Sequence, residues 1–263
     1  TFGNGVKTIG ISAFGECKQL TDITIPNSVE SIGNYAFRDC VGLKNVSIGN
    51  KVTEIGNGVF TGCINITSIT IPDSVTTIGR YAFFVNNLTS VKLPSDVTIG
   101  TRAFNNNMLP DNQAFIYESY KNSVPSSMTL ISYGGQSKDV IIPNGVTTIN
   151  GNMFNGCSEL KNVSLPNTVT NIDNNAFNGC TKLQYFTIGN SITHLGEHVF
   201  NGIEMLNVYT SSSAVVKAVT DSCAKQLAIY VENPDEGFAG LELNIPETTE
   251  IFLFDGDGNT FED

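Results

Sequence analysis

The stretch LTDITIPNSVESIGNYAFRDC, residues 20–40, decides the fold because the chain repeats its pattern many times. Its phenylalanine returns every 23 residues, at Phe14, Phe37, Phe60 and Phe83, and again at Phe154, Phe177 and Phe200. A period of this length is typical of solenoid proteins, in which each repeat is too thin to bury its own apolar face. The sequence therefore predicts a stack of short repeats that cover one another.

Each repeat opens with an aliphatic residue that is followed three and five positions later by further aliphatic residues, as in Leu20, Ile23 and Ile25. The alternation at the end of this segment, together with its β-branched residues, predicts a short strand with one buried face. Pro26 follows directly, and because proline has no N–H to donate, it ends the strand.

A second apolar pair, Val29 and Ile32 in this repeat, precedes a column that is mostly glycine. The members of this column are Gly10, Gly33, Gly56, Gly79, Gly100, Asn150, Asp173 and Gly196. Since these three residue types best tolerate positive φ, we expect a left-handed turn residue here in every repeat. The segment that follows has room for about two helical turns, so we expect a short helix or 3₁₀ turn there.

The unit LxxIxIPxSVxxIGxxAFxxCxxL resembles the BspA-type leucine-rich repeat of bacterial surface proteins, and the resemblance covers residues 3–104 and 137–207. It implies a repeat solenoid, a right-handed superhelix whose repeats of about 23 residues each hold a β-strand, a turn and a short helix. The repeat at residues 84–104 departs from the pattern, since it is two residues shorter than the others.

The spacing divides the chain into five segments. Residues 1–112 form a first block of repeats, which starts in mid-repeat, so we expect a cap upstream of it. Residues 113–136 contain two β-rich runs around a Pro/Ser turn and predict an inserted β-hairpin. Residues 137–207 form a second block, residues 208–231 predict a helix-containing C-terminal cap, and residues 232–263 predict an acidic, β-rich tail or the start of a further domain.

Five of the six cysteines share one column, three residues after the phenylalanine: Cys17, Cys40, Cys63, Cys157 and Cys180. Stacked columns lie about 5 Å apart, so disulfide bonds remain possible. We prefer buried free thiols because the same column also holds Asn86, Asn107 and Ile203. The spacing does not fit a zinc site. Cys223 lies outside the repeats and is interpreted as structural.

The acidic charge belongs to one end of the chain. The net charge is −11, and residues 232–263 hold ten of the 25 acidic side chains and no Lys or Arg. The repeats are therefore nearly neutral and offer no basic patch for nucleic acid. No apolar run reaches the length of a membrane span, so we expect no membrane insertion in this segment.

Two motifs resemble metal or catalytic sites but are better explained otherwise. His194 and His198 lie in HLGEH, which does not match HExxH, and both occupy variable polar columns. DGDGN at residues 255–259 matches the start of a calcium loop, but glycine is missing at the sixth position and a hairpin turn fits better. No nucleophile–base pair is recognisable, so we expect no enzyme activity, no cofactor and no metal.

The candidate binding residues lie on the strand face that points away from the core, which a curved solenoid makes concave. They are Lys44, Asn45, Lys92, Lys161, Asn162, Gln184 and Tyr185. In the last strand, we expect Asn207, Val208 and Thr210 to point outward. The face has few aromatic anchors, so we expect weak or multivalent binding. It could equally be a solvated sheet without a ligand.

The insert offers a second candidate site, because it carries Tyr117, Tyr120 and Tyr133. Insertions on repeat scaffolds often bind ligands, but this hairpin could also simply cover an irregular junction.

The resemblance implies a secreted or cell-surface adhesion scaffold, located outside the cell or on the bacterial surface. Its partner would be a protein or carbohydrate ligand, and we expect the chain to be a monomer. The alternative is a rigid spacer within a longer surface protein, with no ligand of its own.

Overall fold

The computed structural model describes residues 2–3, 5–189, 191–210, 215–216, 219, 226–232 and 249–254. The chain divides into two units, Thr1–Gln136 (unit 1) and Ser137–Asp263 (unit 2).

The described part of unit 1 contains two short strands in most repeats, followed by an irregular end. The elements are β1 (Thr8–Ile9), β2 (Asp22–Thr24), β3 (Ser31–Ile32), β4 (Asn45–Ser47), β5 (Glu54–Ile55), β6 (Ser68–Thr70), β7 (Thr77–Ile78), β8 (Ser90–Lys92), β9 (Val97–Ile99), α1 (Asp111–Ala114), β10 (Phe115–Tyr117), β11 (Ser119–Lys121), β12 (Val124–Pro125) and β13 (Thr129–Tyr133). Strands β1, β3, β5, β7 and β9 form one parallel ladder. Strand β2 pairs with β4, and β6 pairs with β8.

The described part of unit 2 repeats this arrangement. Its strands are β14 (Asp139–Ile141), β15 (Thr148–Ile149), β16 (Asn162–Ser164), β17 (Asn171–Ile172), β18 (Tyr185–Thr187), β19 (His194–Leu195), β20 (Met205–Thr210), β21 (Gln226–Glu232) and β22 (Thr249–Phe254). Strands β14, β16, β18, β20, β21 and β22 form a parallel sheet in that order, beside the ladder β15-β17-β19. Between β20 and β21, the helical residues Val215, Val216 and Val219 are buried.

The phenylalanines of successive repeats lie over one another, as the period predicts. In unit 1, Phe37 and Phe60 have ring centroids 5.4 Å apart and planes within 5° of parallel. In unit 2, Phe154 and Phe177 are 4.8 Å apart and within 8° of parallel. These rings are fully buried. The predicted repeat solenoid is confirmed.

The expectation of a left-handed residue in the glycine column was wrong. Positive φ occurs instead two and six residues further on, as at Tyr35 (φ 59°) and Asp39 (φ 57°). Glycine is needed because the backbones of neighbouring repeats nearly touch. A Cβ on Gly79 would lie 2.6 Å from the backbone nitrogen of Asn57, whereas one on Gly10 would meet nothing within 4 Å.

The short helix expected after this column was also wrong, because the chain makes consecutive β-turns there. The amides of Ala36 and Cys40 bond to carbonyls three residues earlier, as in a β-turn. The intervening amide of Phe37 donates to the carbonyl of Val59 in the next repeat, at 2.9 Å. A helix would keep these bonds within one repeat. The left-handed residues are the third positions of type II turns.

The insert pairs with the last regular repeat of unit 1. Strands β10 and β13 are antiparallel, with Phe115 opposite Tyr133. Strand β11 continues the ladder antiparallel to β9 and pairs with β12. In β13, Ile131 accepts a bond from the amide of Arg102, and the Ser132 hydroxyl accepts one from the amide of Phe104. Strand β13 therefore covers the Phe104 repeat.

The cysteine column is held by hydrogen bonds rather than disulfides. The Sγ atoms of Cys40 and Cys63 donate to phenylalanine carbonyls of the preceding repeat, at 3.0 and 3.1 Å. No disulfide joins the described cysteines. Cys40, Cys63 and Cys180 are the predicted buried thiols, whereas Cys17 is exposed and Cys157 is half-buried; Cys223 lies outside the described residues. Burial raises the pKa of Cys63 to about 12. Asn107 replaces the thiol with an amide that donates to the Phe83 carbonyl at 2.8 Å.

Candidate binding surface

The first strand of each repeat presents alternate side chains to solvent, as its sequence predicts. In β4, Asn45 and Ser47 are exposed on either side of the half-buried Val46. In β18, Tyr185 and Thr187 are exposed on either side of the buried Phe186. We call these solvent-facing positions the outward strand face. Because neighbouring strands pair in register, equivalent side chains lie next to one another within each unit.

Unit 1 has a shallow depression of about 330 Å³ on this face. Asp22, Lys44 and Asn45 line it together with the hydroxyls of Thr24 and Ser47. The amide of Asn45 donates to the Asp22 carboxylate at 2.6 Å. This bond is the main cause that lowers the pKa of Asp22, with smaller effects from Thr21 and Lys44. The cluster therefore presents an oriented amide, a carboxylate and an ammonium group.

Unit 2 repeats this cluster. The amide of Asn162 donates to the Asp139 carboxylate, and Lys161 precedes Asn162 as Lys44 precedes Asn45. Asp139 and Asn162 are Cα partners, as Asp22 and Asn45 are in unit 1. The same Asp, Lys and Asn thus occur once in each unit at the same place in a strand pair.

A larger depression, of about 560 Å³, lies on the outward strand face of unit 2. Lys161, Gln184 and Tyr185 line it with Met205 and Asn207. Sequence reasoning predicted the first three of these residues as binding residues. Two predicted residues line neither depression. Asn162 belongs to the cluster of unit 2, and Lys92 is exposed on β8.

The insert tyrosines are mainly structural. Tyr133 is only 2% exposed, and its ring lies 5.4 Å from that of Phe115, so its burial contradicts the expected role in binding. Tyr120 packs against the hydrophobic core of unit 1, and its hydroxyl accepts a bond from the amide of Tyr117. Burial raises the pKa of both Tyr117 and Tyr120. Both are half-buried, so only part of each ring is open to a ligand.

The last strand of the second block is shifted by one residue from its expected alignment. Thr187 pairs with Tyr209, a step of 22 residues rather than 23. Val208 and Thr210 are therefore buried and Tyr209 is exposed, so the expected outward positions of Val208 and Thr210 were wrong. The alternation of buried residues from Leu206 onward carries this signal, but aligning residue types across repeats concealed it.

This shift turns Tyr209 outward beside its Cα partner Tyr230, with Tyr185 diagonally adjacent. We call the side chains of Tyr185, Tyr209 and Tyr230 the tyrosine row. Tyr209 and Tyr230 are stacked with centroids 4.8 Å apart and planes within 10° of parallel. Tyr185 lies 6.4 Å from Tyr209 at an angle of 31°. Burial raises the pKa of Tyr209, with smaller contributions from its two neighbours. Its phenol is therefore neutral at physiological pH.

No group of three or more metal-ligating side chains is found among the described residues. His194 and His198 are both exposed, and His198 occupies a left-handed turn position. The DGDGN motif at residues 255–259 lies outside the described part of the chain. Within that same part, no helix combines the length and the apolar character that a membrane crossing requires.

A family model described as "BspA type Leucine rich repeat region" matches residues 1–111 and 131–230 in six copies. The chain belongs to the BspA-type leucine-rich repeat family. The BspA-type match leaves out most of the insert, where the repeat pattern is broken. The family resemblance inferred from the repeated unit is confirmed.

Solved structures of other bacterial leucine-rich repeat proteins share this fold. One from Bacteroides ovatus is 23% identical, with a TM-score of 0.56 over 95% of this chain and 80% of that chain. One from Eubacterium ventriosum is 22% identical, with a TM-score of 0.64 over 88% and 65%. The pneumococcal vaccine antigen PcpA is 20% identical, with a TM-score of 0.54 over 95% and 66%.

These identities establish the fold alone. The chain spans slightly less than two thirds of the Eubacterium ventriosum and pneumococcal chains. No curated protein sequence matches it significantly.

Proposed function

We propose that this BspA-type chain is a non-enzymatic recognition scaffold of the bacterial surface or the extracellular space. Its outward strand face binds a protein or carbohydrate partner through weak contacts made at more than one place. The observation that carries this proposal is the repeated cluster, Asp22 with Lys44 and Asn45 in unit 1 and its equivalent in unit 2. The family and the likeness to a vaccine antigen support a surface location.

The shape of the face favours multivalent rather than tight single-site binding. Both depressions are shallow and offer polar side chains for hydrogen bonds, and each hydrogen bond to a ligand contributes only about 1 kcal/mol net. A partner with repeated groups would gain affinity by contacting both clusters, since the second contact becomes intramolecular.

Charge has a small part in this recognition. The repeats are nearly neutral overall, because the excess of acidic residues lies in residues 232–263. The clusters themselves pair a carboxylate with an ammonium group, so they attract neither strongly anionic nor strongly cationic partners. We therefore expect binding to change little between low and physiological salt, and we expect no role in nucleic-acid binding.

The proposal is tested by substituting the two clusters. The intact chain is screened against immobilised extracellular-matrix proteins and glycans, and any hit is titrated with K44A/N45A, K161A/N162A and the fourfold variant. Each double variant should weaken binding about three- to tenfold, and the fourfold variant should weaken it further. N50A/K51A is the matched control, because it removes the same residue types from exposed positions outside the cluster.

The alternative is a spacer without a ligand. The nearly parallel phenylalanine stack within each unit favours it, since such a column makes each unit stiff. A screen without any hit, or a fourfold variant that binds as well as the natural chain, would support the spacer and reject the recognition face.

A further inference from the structure

We propose that the outward strand face of unit 2 contains a carbohydrate site, in which a neutral pyranose ring lies against the face of Tyr209. The inference rests on the proposed function and narrows it to one ligand class and one place. It concerns the tyrosine row and the strand residues around it. Tyr209 and Tyr230 lie on β20 and β21, outside the repeated cluster of unit 2.

The first observation is a gap between large side chains along one line of the sheet. Ile141, Ser164, Thr187, Tyr209 and Tyr230 are successive Cα partners in β14, β16, β18, β20 and β21. Ile141 is 75% exposed. The short side chains of Ser164 and Thr187 therefore form a floor between Ile141 and Tyr209, three strand spacings or about 14 Å apart. This width is enough for a sugar ring to lie on the floor.

The second observation is that Tyr209, which forms an aromatic wall at one end of this gap, is held in place by its neighbours. Tyr230 covers one face of Tyr209 in a nearly parallel stack, which leaves the face turned toward Thr187. Tyr185 stands diagonally beside it. A ring that is held before binding loses little conformational entropy when a ligand stacks on it. Sugar rings present a C–H face that suits such a flat aromatic surface.

The third observation is the chemistry of the floor and its edge. The hydroxyls of Ser164 and Thr187 and the amide of Asn162 can donate and accept hydrogen bonds, as sugar hydroxyls require. Asn162 is already oriented by its bond to Asp139. With Lys161 as the nearby opposite charge, the site has no net charge for an anionic sugar. A tight protein interface would instead favour Trp and Arg anchors in a deeper pocket.

Unit 1 provides a natural comparison. Its outward strand face has the same polar cluster but Thr24, Ser47, Thr70 and Lys92 where unit 2 has Ile141, Ser164, Thr187 and Tyr209. Without an aromatic wall, unit 1 should not hold a sugar ring in this way. The inference thus assigns carbohydrate binding to unit 2.

The experiment is a printed array of neutral oligosaccharides, followed by titration calorimetry of the intact chain with the best hit. The natural chain should bind. Tyr209→Ala should weaken binding at least about tenfold, because the wall is lost, and Tyr209→Phe should stay within about threefold. Thr187→Tyr should abolish binding, because the new tyrosine ring would occupy the floor on which the sugar lies. Thr187 is exposed, so the larger side chain should not disturb the core. Tyr35→Gly is the control, since Tyr35 is a similarly exposed tyrosine, 40% against 39% for Tyr209, but in a turn.

The outcomes separate this inference from the proposed function. A chain that binds matrix proteins through the repeated clusters but no neutral sugar keeps the proposed function and overturns the carbohydrate site. Sugar binding that survives both Tyr209→Ala and Thr187→Tyr also overturns the carbohydrate site. The same holds if no sugar binds the natural chain while Tyr209→Ala loses binding to a protein partner. A chain that binds neither class contradicts both proposals.

Discussion

At the scale of single residues, Val85 occupies a backbone position that does not suit it. Its φ is 56°, and a β-branched side chain is a clear outlier in the left-handed region. Equivalent positions in other repeats hold Gly62, Gly156, Gly179 and Gly202, all with positive φ. The turn imposes this conformation because the Val85 amide must reach the carbonyl of Asn105 in the next repeat.

Val85→Gly should therefore stabilise the protein by about 1 kcal/mol, because glycine adopts positive φ without the steric cost. Urea unfolding followed by circular dichroism measures the change. Val85→Ala is the control: it removes the branch but keeps Cβ, so its gain should be smaller. A glycine variant no more stable than the alanine variant would contradict the strain argument.

Asn86 and Asn107 stand in the cysteine column with opposite consequences. The side chain of Asn86 is 2% exposed, and both its amide nitrogen and its oxygen lack a hydrogen-bond partner. The Asn107 amide donates to the carbonyls of Phe83 and Phe104, and its oxygen accepts from the amide of Leu88. The same residue type is thus unsatisfied in one repeat and fully used in the next.

Asn86→Cys should stabilise the protein by about 1–2 kcal/mol, because it removes an unsatisfied amide and restores the thiol of the column. Asn107→Cys should destabilise it by about 1–3 kcal/mol, since it leaves the Leu88 amide without its acceptor. Both are compared with the natural chain by urea unfolding in the presence of a reductant. Equal effects of the two substitutions would reject this assignment.

At the scale of elements, most strands of the repeats depend on their neighbours because they are very short. Strands such as β5 and β7 contain two residues, too few to be stable alone. They persist because each repeat is bonded to the next along its strands and its turns. The glycine column allows this, since it lets the backbone of one repeat approach that of the previous one.

Gly79→Ala tests this close approach. The new Cβ would lie 2.6 Å from backbone atoms of Gly56 and Asn57, and we expect a destabilisation of about 2–3 kcal/mol because backbone cannot move aside easily. Gly10→Ala is the matched control in the same column. It meets nothing within 4 Å, so its effect should stay within about 0.5 kcal/mol. Thermal unfolding of the two variants gives the comparison, and similar losses would contradict it.

At the scale of the whole molecule, the sequence predicted what a strict period determines. Phe37 and Phe60 fall in one column, so their stacking followed from spacing alone. The alternation around Val46 and Phe186 correctly predicted which strand residues face solvent. Equivalent positions are buried in one repeat after another, so the pattern of residue types along the sequence predicts these features directly.

The sequence could not reveal features that depart from the regular period, or residue choices that two different structures would explain equally well. Glycine at position 79 fits either positive φ or close packing, and only the structure distinguishes them. The shortened step before Tyr209 departs from the 23-residue period, so the regular pattern hid it and with it the tyrosine row. The burial of Tyr133 depends on the pairing and packing of β13, which no local pattern records.

The central claim is that a step of 23 residues, or of 22 where a repeat is shortened, carries each outward side chain onto its equivalent in the next paired strand, and that this builds the recognition face. Paired cysteines test it most directly. Thr24 and Ser47 are Cα partners on adjacent parallel strands, within the range that a disulfide spans. After mild oxidation and peptide mapping, Thr24→Cys with Ser47→Cys should form a disulfide, whereas Thr24→Cys with Val46→Cys should not, because Val46 faces the core. Cross-linking of the second pair, or of neither, would contradict the account.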